Sequence, residues 1–324
     1  MKNSELSIPK LAAKISTEAD AYRFLEDLRW NGEPVCPHCA SAKPPYFLTP
    51  KNGTSRTTRT GKQSERRVWK CAECRKQFSV LTNTIFHGSK IPVRTWLFVV
   101  FEMCASKNGV SAREIERKYA LTPKSAWYMT HRIREAMKRD PVAGLLSGRV
   151  VADETWYGGK PENRRKGDPR RVGKQGATDK TPIVALVSRE TGEVRSRSVP
   201  NVTGDSLSAV IREETDPART HLHTDEWPPY RHQIAPMLAD HSTVNHHAAE
   251  YVRGDVSTNQ AESYFSQLKR SLDGTHHHVS RAHLDRYLTE FDFRFSTRKI
   301  SDTERMKRLA GQVGGRRLRY RETT

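Results

Sequence analysis

No stretch of this sequence approaches the roughly 18 consecutive apolar residues that a membrane-spanning helix needs. Its opening, "MKNSELSIPKLAAKIS", also lacks the apolar core of a secretory signal. These two absences predict a soluble, intracellular protein. Acidic side chains are in short supply: 37 Asp and Glu stand against 56 Lys and Arg, a formal charge of +19 with pI near 9.9. Such an imbalance suits a polyanionic partner, nucleic acid first. A membrane surface would attract the same charge, but the chain has nothing with which to enter it. The 324 residues leave room for two or three small domains.

Cysteine is scarce, and its placement is informative. Four of the five fall as two C-x2-C pairs, "CPHC" (Cys36, Cys39) and "CAEC" (Cys71, Cys74), separated by 31 residues. Two such knuckles brought face to face would set four thiolates tetrahedrally around one Zn2+, as in a zinc ribbon, and thiolate ligation suits a reducing cytosol. A disulfide or a redox C-x2-C is the competing reading, and two like knuckles favour zinc over both. Between them, "SRTTRTGKQSERRVWKC" alternates basic with small polar residues, including Arg66 and Arg67. The alternation fits an exposed hairpin with a basic face for phosphate, or a solvated loop. Cys104, inside "TWLFVVFEMCA", reads as a buried helical thiol.

From Ile91 the periodicity turns helical. Ser111 and Glu114 form an S-x-x-E capping signal, and "LTPKS" is a short turn into another helix. This is the outline of a helix-turn-helix whose second helix would carry Lys124, Ser125, Tyr128, His131 and Arg132 toward a groove, with Trp127 and Ile133 facing the core. An ordinary helical hairpin has the same outline.

Two short apolar strands close in the same way. "VVADETWYGGK" places Asp153 and Glu154 at a strand end, and "TDEWPPY" repeats the pattern with Asp225 and Glu226. One Asp at a strand end is an ordinary turn residue, but helical crossovers between strands would bring two such ends to one edge of a sheet. A third acid stands on a helix in "STNQAESYFSQLKRSL", where Glu262 lies seven residues, about two turns, before Lys269. Adjacent residues on a strand point to opposite faces, so Glu154 and Glu226 read as neighbours of the site; Trp156 and Trp227 read as core packing. The segment 158–180 holds eight Lys or Arg, three acids and five glycines, without apolar periodicity. It reads as a mobile basic loop that closes on DNA through Arg164, Arg165, Arg170 and Arg171.

Taken together, "CPHC…CAEC", "DETWYGGK", "TDEWPPY", "GDVSTNQAESYFSQLKR" and "HHHVSRAHLDRYLTEFDFRF" resemble the IS1595 family of insertion-sequence transposases, its ISXO2-like branch, from the ribbon to about Phe295. The resemblance implies an α/β chain: an RNase H-like catalytic domain, its mixed sheet flanked by helices, preceded by a zinc ribbon and a helix-turn-helix-like module. On that frame residues 1–30 are a helical lead-in, 31–88 the ribbon, 89–145 the helical DNA-binding region, 146–300 the catalytic domain and 301–324 a basic tail. It further implies a DDE-type site with Asp153 first, Asp225 second and the third residue within "TNQAE". Glu262 is favoured over Asn259, because a carboxylate binds a hard cation better than a neutral amide. Lys269 and Arg270 would position DNA.

The activity so implied is binding of terminal inverted repeats followed by strand cleavage and transfer, with two Mg2+ or Mn2+ per site and one structural Zn2+. Two ions sharing Asp153 would activate water and stabilise the leaving 3′ oxygen, and the freed 3′-OH would then attack target DNA. Partners would be the element ends, the target duplex and at least a second copy of the chain, with a cytoplasmic, nucleoid-associated location. A structure-specific nuclease would share the acids but has no need of an end-recognition module. A catalytically silent DNA-binding regulator would keep the ribbon and helices without needing the acids. The histidines at 246–247, 276–278 and 283 lack zinc-hydrolase spacing and stay outside the site.

Overall fold

The computed structural model describes residues 5–51, 53, 55–58, 60–61, 63–140, 143–158, 180–245 and 252–322, and the chain divides into two compact units, 1–138 with 299–324, and 139–298. Among the described residues no helix is long and apolar enough to cross a membrane.

In the first unit, α1 (Ile8–Lys14) starts at the Ser7 cap and α2 (Glu18–Trp30) at a capping box formed by Thr17 and Asp20; α2 stops at Asn31, whose left-handed backbone turns the chain away. Five two-residue strands follow: β1 (Tyr46–Phe47), β2 (Arg56–Thr57), β3 (Gln63–Ser64), β4 (Trp69–Lys70) and β5 (Gln77–Phe78). β1, β4 and β5 form an antiparallel sheet, and β2 with β3 a separate hairpin. So small a module has little apolar core. Phe78, Trp30 and Trp69 pack around Cys36, Cys71 and Cys74, so a metal held by the cysteines would add to the cohesion of the module.

Helix α3 (Val93–Ala105) begins after Pro92, which offers no capping side chain. Glu18 of α2 takes that role, accepting from the backbone N–H of Val93 at 2.6 Å and of Arg94 at 3.1 Å. Cys104 is buried on α3 as its sequence context suggests. Ser111 caps α4 (Ala112–Tyr119), Ala120 takes the left-handed conformation, and Thr122 caps α5 (Pro123–Met137). Beyond 298 the chain returns to this unit, where α9 (Asp302–Gly311) packs against α2, α3 and α5.

The second unit is built on β6 (Leu146–Tyr157), β7 (Thr181–Ser188), β8 (Val194–Ser198), β9 (Thr215–Asp225) and β10 (Asp240–Val244), in spatial order β10-β9-β6-β7-β8. β7 is antiparallel to β6 and β8, whereas β9 is parallel to β6 and to β10, so the sheet is mixed. α6 (Gly204–Glu214) crosses from β8 to β9 and covers one face with Leu207, Val210 and Ile211 against Val150, Ala152 and Leu222. The hairpin β11 (Val252–Arg253) and β12 (Val256–Ser257) leads into α7 (Asn259–Ser271), and α8 (Leu284–Ser296) follows. These two helices cover the other face, where Ala261, Tyr264, Phe265 and Leu268 meet Val151, Ile183 and Ala185. With helices on both faces β7 is buried almost throughout, which explains why "TPIVALVS" shows no alternation.

Candidate active site and zinc centre

Strand alternation decides where the acids point. Val151 belongs to the α7 face and Val150 and Ala152 to the α6 face, so Asp153 lies on the α7 side and Glu154 on the α6 side. On β9, Leu222 faces α6, which places His223 and Asp225 with Asp153. The last registered pair between the parallel strands is Val151 with His223, and each Asp stands two residues further along its own strand. β6 does not stop there, contrary to the strand end expected at Asp153 and Glu154. It runs to Tyr157 in antiparallel pairing with β7, Asp153 lying opposite Ala185. The acids therefore sit where β6 has passed its last registered pair with β9 and keeps its pairing with β7.

Helix α7 packs on β6 and β7 with its apolar stripe inward. Glu262, Lys269 and Arg270 are exposed along its outer flank, and Asn259 is exposed at its first position. The Thr258 hydroxyl donates to Glu262 Oε1 at 3.2 Å. Asp153 Oδ1 accepts from the backbone N–H of Glu154 at 2.8 Å, and Asp225 Oδ1 from that of Trp227 at 3.1 Å. Among the described residues, the one group of three or more ligand side chains with all its atoms within 4.8 Å of one another is the four cysteines. Asp153 and Asp225 share a face of the sheet without so tight a contact, and Glu262 stands on the helix that covers that face. As a donor set, hard carboxylate oxygens from two strands and a helix suit Mg2+ or Mn2+.

On the α6 side, Glu154 accepts a short hydrogen bond from the hydroxyl of Tyr230. Its carboxyl is pushed up to about 8, by burial first, with the charges of Asp153 and Asp225 adding and the Tyr230 hydroxyl working the other way. Tyr230 itself is driven well above its ordinary value by burial and by the same acids. His223, two residues before Asp225, is buried beside Arg189, whose Nη1 lies 3.4 Å from its Nδ1. Burial first, then the Arg189 charge, holds it below the ordinary imidazole range. The sequence offered no sign of either partnership: Tyr230 ends the quoted "TDEWPPY", but Glu154 lies 76 residues away. Trp227 packs on the α6-side core, whereas Trp156 is 42% exposed. The packing expectation fails for Trp156 because β6 carries it past the end of that core.

The cysteines meet as their spacing predicts. Cys36 and Cys74 sulfurs lie 3.7 Å apart and those of Cys39 and Cys71 3.6 Å apart. A tetrahedral site with Zn–S near 2.3 Å has sulfurs about 3.8 Å apart, whereas a disulfide needs about 2 Å, and all five cysteines are free. Backbone N–H groups of Cys74 and then Glu73 hold the Cys71 thiol below its ordinary value.

The expected DNA contacts divide sharply. Arg66 is exposed, with Nη2 3.3 Å from Ser79 Oγ. Arg67 is committed elsewhere: its Nε donates to buried Glu26 at 2.7 Å, Trp69 Nε1 donates to the other carboxylate oxygen at 2.9 Å, and the guanidinium lies 4.5 Å over the Phe47 ring. It is a fastener between α2 and the ribbon. On α5 only the first turn, with Lys124 and Ser125, stays open. His131 is buried, and Arg132 is 4% exposed, donating to the His87 carbonyl at 2.7 Å between the rings of Trp96 and Tyr128. Tyr128 donates to the Leu318 carbonyl. Arg164, Arg165, Arg170 and Arg171 lie outside the described residues.

Comparison with known proteins fits this picture. The ISXO2-like transposase domain of IS1595 elements matches residues 145–296, and the IS1595 transposase zinc ribbon matches residues 16–77. The chain belongs to the IS1595 transposase family. A relative of the transposase, an uncharacterised protein in transposable element ISH50 of Halobacterium salinarum, is 24% identical over 300 residues, covering 90% of this chain and 96% of its own. A chain from the cryo-EM structure of the simian T-cell lymphotropic virus intasome in complex with PP2A regulatory subunit B56 gamma aligns over 61% of this transposase and 66% of its own length. Its identity is 15% and its TM-score 0.29, too loose a superposition to carry an argument.

Proposed function

We propose that this transposase binds the terminal inverted repeats of an insertion sequence and performs metal-dependent strand cleavage and strand transfer at Asp153, Asp225 and Glu262, on an RNase H-like sheet. The observation that carries the reading is the convergence of Asp153 and Asp225, from neighbouring parallel strands, on the sheet face that α7 covers. Bound by these carboxylates, two Mg2+ or Mn2+ ions would supply polarisation of the attacking oxygen and of the scissile phosphate.

The chain's own groups do the rest. Asp153 and Asp225 hold fixed oxygen donors at the strand edge. Glu262 adds a third from a helix whose inner stripe fixes its rotation, and Asn259 is the alternative in that role. Lys269, about two turns beyond Glu262 on the same flank, sets a positive charge along the bound strand. Glu154 lies on the opposite face, where burial first raises its carboxyl and Tyr230 donates to it. In-line displacement at phosphorus accepts water or a sugar hydroxyl alike, so one site serves cleavage and transfer.

For end recognition we assign the ribbon and the exposed first turn of α5, within a helix-turn-helix-like pair α4–α5. The active assembly contains at least two copies, one for each paired end. The test is a labelled duplex carrying an element end, incubated with purified protein in Mg2+ or in chelator. Cleavage that leaves a 3′-OH, joined to target DNA only with metal, supports the proposal; a protein that binds the duplex and never cuts it, in Mg2+ or Mn2+, is a regulator instead.

A further inference from the structure

Helix α5 is the natural candidate for reading DNA, yet Met129 to Arg134, Ala136 and Met137 are all buried. Part of its cover is a segment nearly two hundred residues downstream. Leu318 is 6% exposed, and its carbonyl accepts from the Tyr128 hydroxyl at 2.5 Å. The Tyr320 ring stands edge-on to Tyr128 at 5.5 Å and Trp127 at 6.4 Å, with Lys124 Nζ 4.3 Å above it. Arg316 Nη1 donates to the Glu135 carbonyl at 3.1 Å and the Lys138 carbonyl at 2.5 Å, serving the unsatisfied acceptors at the end of α5.

The strap alternates. Arg316, Leu318 and Tyr320 turn inward onto α5, while Arg317, Arg319 and Arg321 are exposed. Residues 316–319 lie outside helix and strand, and Tyr320–Glu322 close the strap in a 3-10 turn. Three exposed arginines thus fall within five residues of one another on the strap. A neighbour extends the cluster: burial, then the charges of Arg317, Arg132 and Arg66, hold His87 below its ordinary range, so the exposed Arg66 of the ribbon and Arg317 of the strap share one electropositive neighbourhood.

We infer that the C-terminal strap, with Arg317, Arg319 and Arg321 outward and Lys124 and Arg66 at its sides, is a docking surface for the phosphate backbone of double-stranded DNA. It stands in for the buried body of α5. The inference rests on the DNA-binding reading above, and charge complementarity selects the occupant: a cluster of exposed arginines on a +19 chain suits the polyanionic phosphate backbone. Backbone contacts of this kind position a protein without reading sequence.

The test compares the full-length protein with a triple variant, Arg317→Ala with Arg319→Ala and Arg321→Ala. Duplex affinity is measured across a salt series, on element-end and unrelated sequences. The inward residues are untouched, so zinc content and melting temperature should match the parent. A triple Arg→Lys variant controls for charge. The expected result is weaker binding to every duplex, with the slope of log affinity against log salt flatter by about 0.9 per lost contact, up to about 2.7, and largely restored by lysine. An unchanged slope in a parent that binds DNA overturns the strap assignment alone. A parent that binds no duplex overturns the DNA reading with it. Tighter binding by the variant makes the strap a cover, and loss of self-association with DNA affinity intact makes it a protein contact; either result overturns the inference.

Discussion

Two acids one position apart, Asp153 and Glu154, point to opposite faces of the sheet because a strand alternates, and this much was legible in the sequence. What burial does to the second was not. Burial against the α6-side core raises the Glu154 carboxyl, while the hydrogen bond from Tyr230 opposes it, and that environment is assembled from distant parts of the chain. Asp292 on α8 is a parallel case. It accepts from the Ser196 N–H at 2.8 Å, from the Ser196 hydroxyl at 2.7 Å and from the Tyr264 hydroxyl at 2.7 Å. Burial nevertheless outweighs these bonds and pushes its carboxyl up to about 7. A carboxyl raised in the folded state favours folding when protonated, so its contribution is lost as pH rises from the unfolded value near 3.8 to about 7, and is flat above. Asp292→Asn should flatten the decline of melting temperature across that window; a variant whose decline parallels the parent's would contradict the assignment. For the third catalytic ligand, Glu262→Gln and Asn259→Ala should be compared at matched DNA binding. The glutamine variant should lose at least about a hundredfold in cleavage, and a greater loss in the alanine variant would transfer the role to Asn259.

Elements were easier to find than their surroundings. The two C-x2-C knuckles announced the ribbon, the Ser111 cap announced α4, and the turn at "LTPKS" announced α5, all from local chemistry. The fate of α5 was hidden because helical periodicity identifies a polar flank without telling which distant segment covers it. Arg132, a groove residue on pattern alone, fills an aromatic slot beneath His87. Arg67 was misleading for the same reason: its partner Glu26 lies 41 residues earlier. Removing one member of a buried ion pair strands the other, at a cost of about 3 kcal/mol for a pair so placed. Arg67→Ala should therefore lower the melting temperature markedly while Arg66→Ala leaves it nearly unchanged. Equal melting of the two variants would put Arg67 back on the surface. At the ribbon, one zinc per chain is expected by elemental analysis, and Cys71→Ser should release it and unfold the module. Zinc retained at full occupancy in that variant would exclude Cys71 as a ligand.

At the scale of the molecule, the order β10-β9-β6-β7-β8 follows from connections the sequence could only outline: two antiparallel hairpin links, then a helical crossover that returns β9 beside β6. That return puts Asp225 next to Asp153. The pairing was legible in the repeated Asp-Glu-Trp pattern, but the continuation of β6 to Tyr157 was not, because an acid after an apolar run reads as a strand end whether or not a second neighbour carries the strand onward. On the proposed function these carboxylates act in the chemistry and not in holding DNA. The most direct measurement is strand cleavage of an element-end duplex in Mg2+ by Asp153→Ala and Asp225→Ala proteins, with duplex affinity measured in the same preparations. Cleavage should fall below about one-thousandth of the parent with affinity changed less than about threefold, since metal ligation and phosphate contact are separate contributions. Cleavage at the parental rate by either variant would contradict the proposed function.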